Sequence, residues 1–560
     1  MTRDVKGTLQ FGAGTTTAVI ALIAGSYLTM SGTTARTEPN DHTTEIAKTD
    51  GWAATTLAEP ATDPQSLVKT ETIVSKQYLG ANVDSADDQD ASPKEKKKTD
   101  KKAASTKGAF RPDPKYSKKY DADGQADIYG GKYAVEPPRP LLELGREQYT
   151  SGPYDESSTI LGKLNPLLPG LSVYGDWRTA VAYNSNNGKD IAQIATRLNL
   201  DVDFKITGTE RIHAFFTPIQ DGAANFSRFE FGGGDGDQRF HDEFDLNPQT
   251  LFFEGDVGSI YSGLSGQYSK FDLPFTVGLF PLFLQNGIWA NDAILGGAVT
   301  LPAQNSPALG LSNYDITFFT AFDNVDNASL VGANGKVDNH DANLYGVTTF
   351  VDAFGGYIEA GYGFLQGVGN REDVQQHFLT AAYSRRYANT ISNSTRVFAN
   401  FGEDDRGNGD GLAIISENSL ISPLPSTLLP YANFFVGFGN PEPLVDGNNA
   451  GILKNVGINF ETDALTGYPK LDDTGSNAVG GAIGVEYLFN LDQQLVFEVA
   501  TVQPYDDNNV VGAKGPQYGF GVRYQIPLTR AWLFRADATY QIRDGEDDNF
   551  GIRTELRRKF

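Results

Sequence analysis

The sequence contains no cysteine and only two methionines among its 560 residues. Without a thiol, the chain cannot form a disulfide framework, a cysteine-ligated zinc site, a thiol nucleophile or a lipidated cysteine. Glycine and aromatic residues are abundant instead, with 61 Gly, 35 Phe and 25 Tyr. This composition favours an exported all-β protein over a cytosolic enzyme. A secreted β-sandwich or β-solenoid is the alternative on composition alone.

The sequence also has no excess of basic residues. The formal net charge is −24, and the first 170 residues are nearly balanced, so the acidity belongs to the remainder of the chain. Nucleic-acid binding needs a basic footprint, and we therefore expect no nucleic-acid partner. The same acidity is compatible with attraction of cations.

Familiar catalytic and cofactor motifs are missing from the sequence. The five His form no i, i+4 pair with a Glu, no G-x-S-x-G is present, and the glycine-rich residues 232–236 lack the Lys-Ser or Lys-Thr of a phosphate-binding loop. An EF-hand-like spacing over 406–417 fails because Arg406 stands where a carboxylate ligand is required. We expect no enzyme, no cofactor and no bound metal. A looser divalent-cation site stays open for the acidic loops 235–243 and 403–410.

An export signal is predicted over residues 1–35. Arg3 and Lys6 provide a basic start, and the apolar stretch Ala18–Ala24 is too short to cross a bilayer as a helix. Small residues up to Ala35 offer a cleavage site. The alternative is a tail with a chance apolar patch.

Residues 36–130 show no sustained strand or helix period and include a lysine-rich run over 94–102. Such a segment cannot bury enough apolar surface to offset its ordering entropy, so we expect a disordered low-complexity linker. The run suits either a solvated linker or a periplasmic tether that contacts an anionic polymer. Residues 131–170 are rich in Pro and predict an ordered entry segment that packs on or inside the folded part.

From residue 171 onward the pattern is strand, turn, strand. Between 532 and 543 one face carries Trp532, Phe534, Ala536, Ala538, Tyr540 and Ile542, and the other carries charged and polar residues. The segments 518–526 and 198–206 alternate in the same way. Because successive side chains of a strand point to opposite faces, each strand has one apolar and one polar side.

Strand and loop lengths favour a membrane barrel over a soluble sheet. The amphipathic segments run for about 9–12 residues, against about 5–6 for soluble strands. Short turns at 207–210 and 490–494 alternate with long polar loops at 232–248, 402–411 and 440–451. We predict an all-β fold: a transmembrane antiparallel β-barrel over 171–560 with about 16 strands, within about 14–18. The apolar, Pro-containing segments 280–312 and 412–430 are candidates for loops that fold into the pore.

The C-terminus carries a family resemblance. Phe550, Ile552, Thr554, Leu556 and Phe560 share one alternating face, interrupted by Arg558. A last strand that ends in an aromatic residue resembles bacterial outer-membrane β-barrel proteins, and the repeated long strands resemble porin-like channels. The resemblance implies insertion by the barrel-assembly machinery into a bilayer that contains lipopolysaccharide, and homotrimers are common in such families. The basic run 557–559 departs from that pattern.

Charged residues on the polar faces are the candidate site. An arginine facing lipid at mid-depth would cost about 2–4 kcal/mol, which assigns these side chains to the lumen. The predicted pore-lining residues are Arg523, Arg535, Asp537, Arg543, Arg553 and Glu555. Charged side chains are the usual selectivity elements of pores. The alternative is a salt-bridged lumen that only braces the wall.

The predicted function is a porin-like outer-membrane channel for passive diffusion of small hydrophilic solutes or ions. The net acidity predicts a mild cation preference, offset locally by the inward arginines. One alternative is a substrate-specific channel or a polysaccharide exporter, with a loop that enters the pore. The other is a barrel enzyme or a structural barrel anchor.

Overall fold

The computed structural model describes residues 140–145, 160–221, 225–233, 239–330, 339–404, 410–421, 428–447, 450–461, 465–489, 493–506 and 512–560. The predicted signal peptide (1–35) and linker (36–130) lie outside these residues. Of the predicted entry segment, 140–145 and 160–170 are described.

The described residues are dominated by β-strands. The first strands are β1 (Leu142–Gly145), β2 (Gly170–Asn186), β3 (Lys189–Lys205), β4 (Arg211–Phe216), β5 (Gln220–Asp221), β6 (Asn225–Phe226), β7 (Arg228–Gly233), β8 (Arg239–His241) and β9 (Pro248–Asp256). One α-helix, α1 (Val257–Ser265), follows β9. The middle strands are β10 (Pro274–Leu284), β11 (Ala290–Ser306), β12 (Leu311–Phe322), β13 (Ala342–Ala353), β14 (Gly356–Gly367), β15 (Gln375–Tyr387) and β16 (Ile391–Glu403). The last strands are β17 (Gly411–Leu420), β18 (Leu428–Gly439), β19 (Val445–Asp446), β20 (Ala478–Phe489), β21 (Gln493–Pro504), β22 (Gln517–Pro527), β23 (Trp532–Arg543) and β24 (Asn549–Lys559). Short 3₁₀ turns occupy Pro307–Leu309 and Gly369–Arg371.

The strands close on themselves as an antiparallel barrel of 18 strands. Its wall strands are β2, β3, β4, β9 to β18 and β20 to β24. The seam closes where β2 pairs with β24 from Asp176 opposite Lys559 to Ser185 opposite Phe550. Strand β3 pairs with β4 through residues 200–205 and with β7 through residues 191–195. The short strands β4 and β7 therefore together occupy the wall position next to β3.

The 18 strands lie at the upper end of the predicted range of 14–18 and exceed the central value of about 16. The reason for the difference lies in residues 280–312 and 412–430. The sequence makes these segments candidates for pore loops, but they form wall strands β10 and β11, β17, and the start of β18. On β10, Phe280 and Leu282 face inward and are buried in an apolar interior cluster. Both faces of such a strand are apolar, so the alternation that marks a strand is lost.

The predicted alternation holds on the C-terminal strands. On β24, Phe550, Ile552 and Leu556 are exposed on the outer face, whereas Arg553 and Glu555 are 1% and 3% exposed on the inner face. A barrel with an apolar exterior and no free sheet edge leaves no backbone group unpaired toward lipid. Among the described residues, no α-helix is long and apolar enough to cross a membrane.

The basic run at the C-terminus fits this wall. Arg557 points inward and binds Asp176, while the Arg558 guanidinium lies 5.8 Å from the ring centroid of Trp532 on the outer face. Trp177 pairs with Arg558 from the other side. Aromatic rings in this position form the interfacial belt of a membrane barrel.

The two rims of the barrel differ as predicted. At the rim that carries Phe560, Ala353 pairs with Gly356 and Phe489 with Gln493, so these hairpins close through short turns. The opposite rim carries the long connections from β12 to β13 and from β18 to β20. Outer-membrane barrels have their short turns at the periplasmic end, so we call the rim that carries Phe560 the periplasmic rim.

The entry segment completes the seam at the periplasmic rim. Phe560 exchanges backbone hydrogen bonds of 2.9 and 3.0 Å with Gly175, where β24 ends. Below that point β1 takes over as the neighbour of β2, with Leu142 opposite Val173 and Gly145 opposite Gly170. The chain before β2 therefore covers the strip of β2 that β24 is too short to reach.

The described part of the connection between β18 and β20, residues 440–447, 450–461 and 465–477, folds into the barrel, and we call it the inner loop. The sequence places 440–451 among the polar rim loops, but β19 within it pairs in parallel with the start of β11. Its apolar residues join wall side chains of β10 to β18 and the loop before β13 in one core. The inner-loop members are Leu444, Val445, Ile452, Leu453, Val456, Phe460 and Leu471.

The inner loop is seated against glycine positions on the wall. A Cβ on the inward Gly363 of β14 would lie 2.4 Å from Cδ1 of Leu444. We expect Gly363→Val to destabilise the protein by about 1–3 kcal/mol through overpacking. Urea unfolding in vesicles measures this, with Ala360→Val on the outer face of the same strand as control. Equal free energies of unfolding for the two variants would contradict the seating.

Candidate channel interior

The interior of the barrel has an apolar side and a charged side. Strands β10 to β18 face the core formed with the inner loop. Strands β2, β3 and β22 to β24 carry a larger set of inward arginines and carboxylates, whereas the β10 to β18 side includes the inward pair of Arg396 on β16 and Glu417 on β17. Buried ions are tolerated only when they are paired and hydrogen-bonded, so their partners define the site.

Asp537 of β23 is the centre of the charged side. Its Oδ1 accepts a hydrogen bond of 2.7 Å from Nε of Arg523, and its Oδ2 accepts bonds of 2.8 Å from Nε of Arg535 and from Nη2 of Arg553. These contacts link β22, β23 and β24. One carboxylate shared by three guanidinium groups leaves an excess of positive charge beside it.

Glu555 and Asp176 extend the charged side across the seam. Glu555 accepts a bidentate pair of hydrogen bonds, 2.9 and 2.7 Å, from Arg178 of β2. Asp176 accepts bonds from Arg557 at 2.5 Å and from Nδ2 of Asn199 at 2.7 Å. Bidentate arginine–carboxylate pairs fix geometry as well as charge, so these pairs hold β2 and β24 in register.

Arg197 of β3 adjoins the same surface, donating from Nε to Oδ1 of Asn199 at 2.7 Å. We use the name arginine network for this connected set of side chains. Its members are Arg178, Arg197, Arg523, Arg535, Arg553, Arg557, Asp176, Glu461, Asp537 and Glu555.

Five of the six predicted pore-lining residues belong to the arginine network: Arg523, Arg535, Asp537, Arg553 and Glu555. Arg543 lies apart, at the outer rim, where it contacts Glu546 and Asn187. Their role as pore-lining groups stays a prediction.

Sequence reasoning missed the other five members: Arg178, Asp176, Arg197, Arg557 and Glu461. Arg178 and Asp176 share the inner face of β2, so the alternation rule applied to that strand would have found them. Arg557 was obscured by its basic neighbours in the sequence. Glu461 reaches Nη1 of Arg523 at 2.9 Å from the inner loop, and no sequence period locates it.

A buried carboxylate on β21 anchors the inner loop. Glu498 accepts hydrogen bonds from the backbone N–H groups of Ile458 and Asn459, each at 2.9 Å, and from Nδ2 of Asn459 at 2.9 Å. The hydroxyl of Tyr431 donates to the same carboxylate at 2.6 Å. Four donors around one carboxylate fix both the position and the direction of the loop at this point.

The far part of the inner loop crosses to the charged side. The carbonyl of Thr466 accepts hydrogen bonds of 2.6 Å from Asn184 of β2 and Gln193 of β3. The Arg553 guanidinium lies 5.5 Å from the ring centroid of Tyr468. The loop therefore spans the interior from the apolar wall to the arginine network.

A second inward segment lies between β4 and β7. Phe226 is buried with Ala180, Ala195 and Leu465, and the Arg197 guanidinium lies 5.6 Å from its ring centroid. This segment and the inner loop meet inside the barrel and narrow the space beside β2 and β3.

No group of His, Cys, Asp or Glu that could hold a metal ion occurs among the residues the structure describes. The divalent-cation sites left open by the sequence include positions 235, 237 and 405, which lie outside those residues.

The wall formed by the described residues has an apolar outer face, an inner face that carries the arginine network on one side, and no open edge. The chain folds as a closed antiparallel β-barrel whose outer face is that of a membrane barrel. Among solved structures, it is similar to OccK2 (OpdF) of Pseudomonas aeruginosa, with 12% identity, a TM-score of 0.47, and coverage of 70% of this chain and 97% of that chain. A BenF-like porin from Pseudomonas fluorescens Pf-5 gives 12% identity, a TM-score of 0.47 and coverage of 70% and 98%.

The structure of OccK2 in complex with glucuronate gives 12% identity, a TM-score of 0.46 and coverage of 70% and 96%. No protein-family model and no curated protein matches the sequence. The assignment as a membrane barrel rests on the closed strand order and the two faces of the wall.

The anchor at Glu498 generates a prediction about the inner loop. Glu498→Gln leaves buried N–H donors without an acceptor, at a cost of about 1–3 kcal/mol. We expect the loop to loosen and trypsin to cleave at Lys454 and Lys470, which are shielded inside the native barrel. Glu486→Gln, on the neighbouring strand, is the control, because Glu486 is bonded to Gln494 of the wall. Equal trypsin resistance of both variants would refute the anchor.

The inner loop also carries a titratable group. Burial raises the pKa of Asp472 to about 6, although hydrogen bonds from Thr474 oppose the shift. The folded protein therefore holds this proton more tightly than the unfolded chain, whose Asp pKa is about 3.9. The resulting stabilisation is complete below about pH 4 and is lost as the pH rises through about 6.

We expect Asp472→Asn, which mimics the protonated side chain, to remove this component of the pH dependence. The measurement is the free energy of unfolding in urea, for wild type and variant, between pH 4 and pH 8. Other groups titrate in both proteins and cancel in the difference. A difference that stays constant across this range would count against the assignment.

Proposed function

We propose that this protein is a channel for the passive passage of small hydrophilic solutes across the outer membrane. Barrels of about 16–18 strands enclose an aqueous channel, and this wall has 18. The observation that carries the proposal is the arginine network, because it places charged groups on the inner face of the wall beside the loops that narrow the interior.

The inner loop favours a selective channel over a wide diffusion pore. It occupies the interior from the apolar wall to Arg523 and Arg553, so the free cross-section is smaller than the wall would allow. Solutes must then pass beside charged groups at short range, where such groups act most strongly.

Local charge and overall charge act in opposite directions. The arginine network contains six arginines and four carboxylates, an excess of two positive charges, whereas the whole chain carries −24. The acidic rim loops favour cations at the mouths of the barrel, and the network offsets that preference inside. The ion selectivity of the channel therefore indicates whether ions pass through the interior beside the arginine network.

Reconstitution in a planar bilayer tests the channel directly. We expect stepwise conductance increases from pure, folded, heat-modifiable protein. Conductance that is blocked by one class of solute would support the selective form, and a large unblocked conductance would support a wide pore, as a polymer exporter requires. Absence of conductance steps would refute the proposal.

The arginine network makes a further prediction for this experiment. Arg535→Gln removes one of the three cations beside Asp537 while Arg523 and Arg553 remain to neutralise the carboxylate. We expect the reversal potential in a salt gradient to move toward greater cation selectivity. Arg558→Gln on the outer face is the matched control and should leave it unchanged. The same shift in both variants would argue against a lumen role.

A structural role is the second candidate, and the apolar core between the inner loop and the wall favours it. Thirty-one of the described residues form this core, and close packing of this extent holds the loop in one position. A barrel sealed by its own loop would insert and fold but would not conduct. Solute, lipopolysaccharide, assembly machinery and trimer formation remain predictions, as does the absence of enzymatic activity.

A further inference from the structure

Helix α1 is a well-defined element of the periplasmic rim. It connects β9 to β10, and Asp256 caps its start, accepting from the backbone N–H of Ser259 at 2.5 Å. Gly266 ends it in the left-handed conformation, with φ of 68°. The second carboxylate oxygen of Asp256 accepts from the N–H of Leu273 at 2.7 Å, so the returning chain is fastened to the same residue.

Small residues fix the side of α1 that packs on the protein. Gly258, Ser262 and Gly263 are buried. A Cβ at Gly263 would lie 1.9 Å from the carbonyl oxygen of Leu161, and one at Gly258 would lie 2.1 Å from that of Phe271. At both positions only glycine leaves room for the neighbouring carbonyl oxygen. The helix therefore cannot rotate about its axis to bury a different face.

The opposite face of α1 is apolar and exposed. Val257, Tyr261 and Leu264 follow the i, i+4, i+7 spacing of one helical stripe, and Leu264 is 66% exposed. Tyr268 and Phe271, in the segment that returns to β10, are also exposed, at 82% and 53%. The helix sequence contains no charged residue. In water such a face would expose a contiguous apolar patch.

Helix α1 begins directly where the lipid-facing wall ends, between β9 and β10. Alternation along β9 places Phe253 on the outer side, opposite Glu254, whose carboxylate is bonded to Arg211 inside the barrel. The ring of Phe253 lies 5.8 Å from that of Phe275, which begins β10. The two rings lie at the edge of the outer apolar surface, where β9 ends and β10 begins. Helix α1 connects these two strand ends.

We propose that α1 lies in the inner leaflet of the outer membrane, with Val257, Tyr261, Leu264, Tyr268 and Phe271 embedded among phospholipids. Tyrosine suits this depth because its ring is apolar and its hydroxyl reaches water. An interfacial helix buries its apolar face about 5–10 Å into the headgroup boundary. The inserted segment thus serves as a membrane anchor at a rim where other connections are short turns.

Site-directed spin labelling tests this placement, and the absence of native cysteine makes each label unique. The test variants are Tyr261→Cys and Leu264→Cys, carrying a nitroxide in full-length protein folded into phosphatidylcholine–phosphatidylethanolamine vesicles. Ile483→Cys on the outer wall is the lipid reference, and Gln267→Cys beyond the helix end is the water reference. Heat-modifiable mobility confirms that every variant is folded.

We expect the ratio of oxygen to nickel-chelate accessibility at 261 and 264 to be several-fold higher than at 267 and to approach the value at 483. Ratios at 261 and 264 equal to that at 267 would overturn the proposal. Dipolar broadening between labels on different molecules would also overturn it, because it would show a second copy on this face. The vesicles contain no other protein, so a high ratio reports lipid.

Discussion

Closure of the backbone hydrogen-bond ladder is the constraint on which the rest of this structure depends. An unpaired peptide group in lipid costs several kcal/mol, so the first and last wall strands must meet along their whole length. The pairing of β2 with β24 achieves this down to Gly175 and Phe560, and β1 continues it toward the periplasm. A segment that precedes the wall in sequence thereby becomes part of its closure.

Closure also explains why the charged side of the interior is concentrated at the seam. Strands β2 and β24 are distant in sequence, and the side-chain pairs Arg178–Glu555 and Arg557–Asp176 join them across the lumen face. Each pair is buried and would be costly if one partner were missing. The same groups therefore favour one register of the seam and give the lumen its charge.

The sequence predicted the parts of the fold in which a single strand carries its own signal. The alternation on β22 to β24 located the outer and inner faces and five members of the arginine network. It could not locate β10 or β17 and β18 as wall strands, because residues such as Phe280, Ile415 and Phe435 face an apolar core formed by loops. A lumen filled with water preserves alternation, and a lumen filled with protein erases it.

The inner loop was beyond sequence reasoning for a related reason. Its apolar residues have no regular spacing, since each one fits a local gap, such as the space that Gly363 leaves for Leu444. Glu498 lies at an inward position between the exposed Phe497 and Val499, which marks its direction but not its partners. Those partners are backbone N–H groups of residues 458 and 459, and backbone donors carry no residue signature.

The asymmetry of the interior follows from these contacts taken together. The inner loop packs its apolar residues against β10 to β18 and reaches the opposite wall through polar groups, among them Glu461 and the carbonyl of Thr466. Apolar packing excludes water from the first side, whereas on the second side Glu461, Arg523 and Arg535 keep part of their side chains exposed, at 41%, 15% and 16%. Under the proposed function, a hydrated solute therefore passes along the arginine network, where the loop and the wall present polar groups to each other.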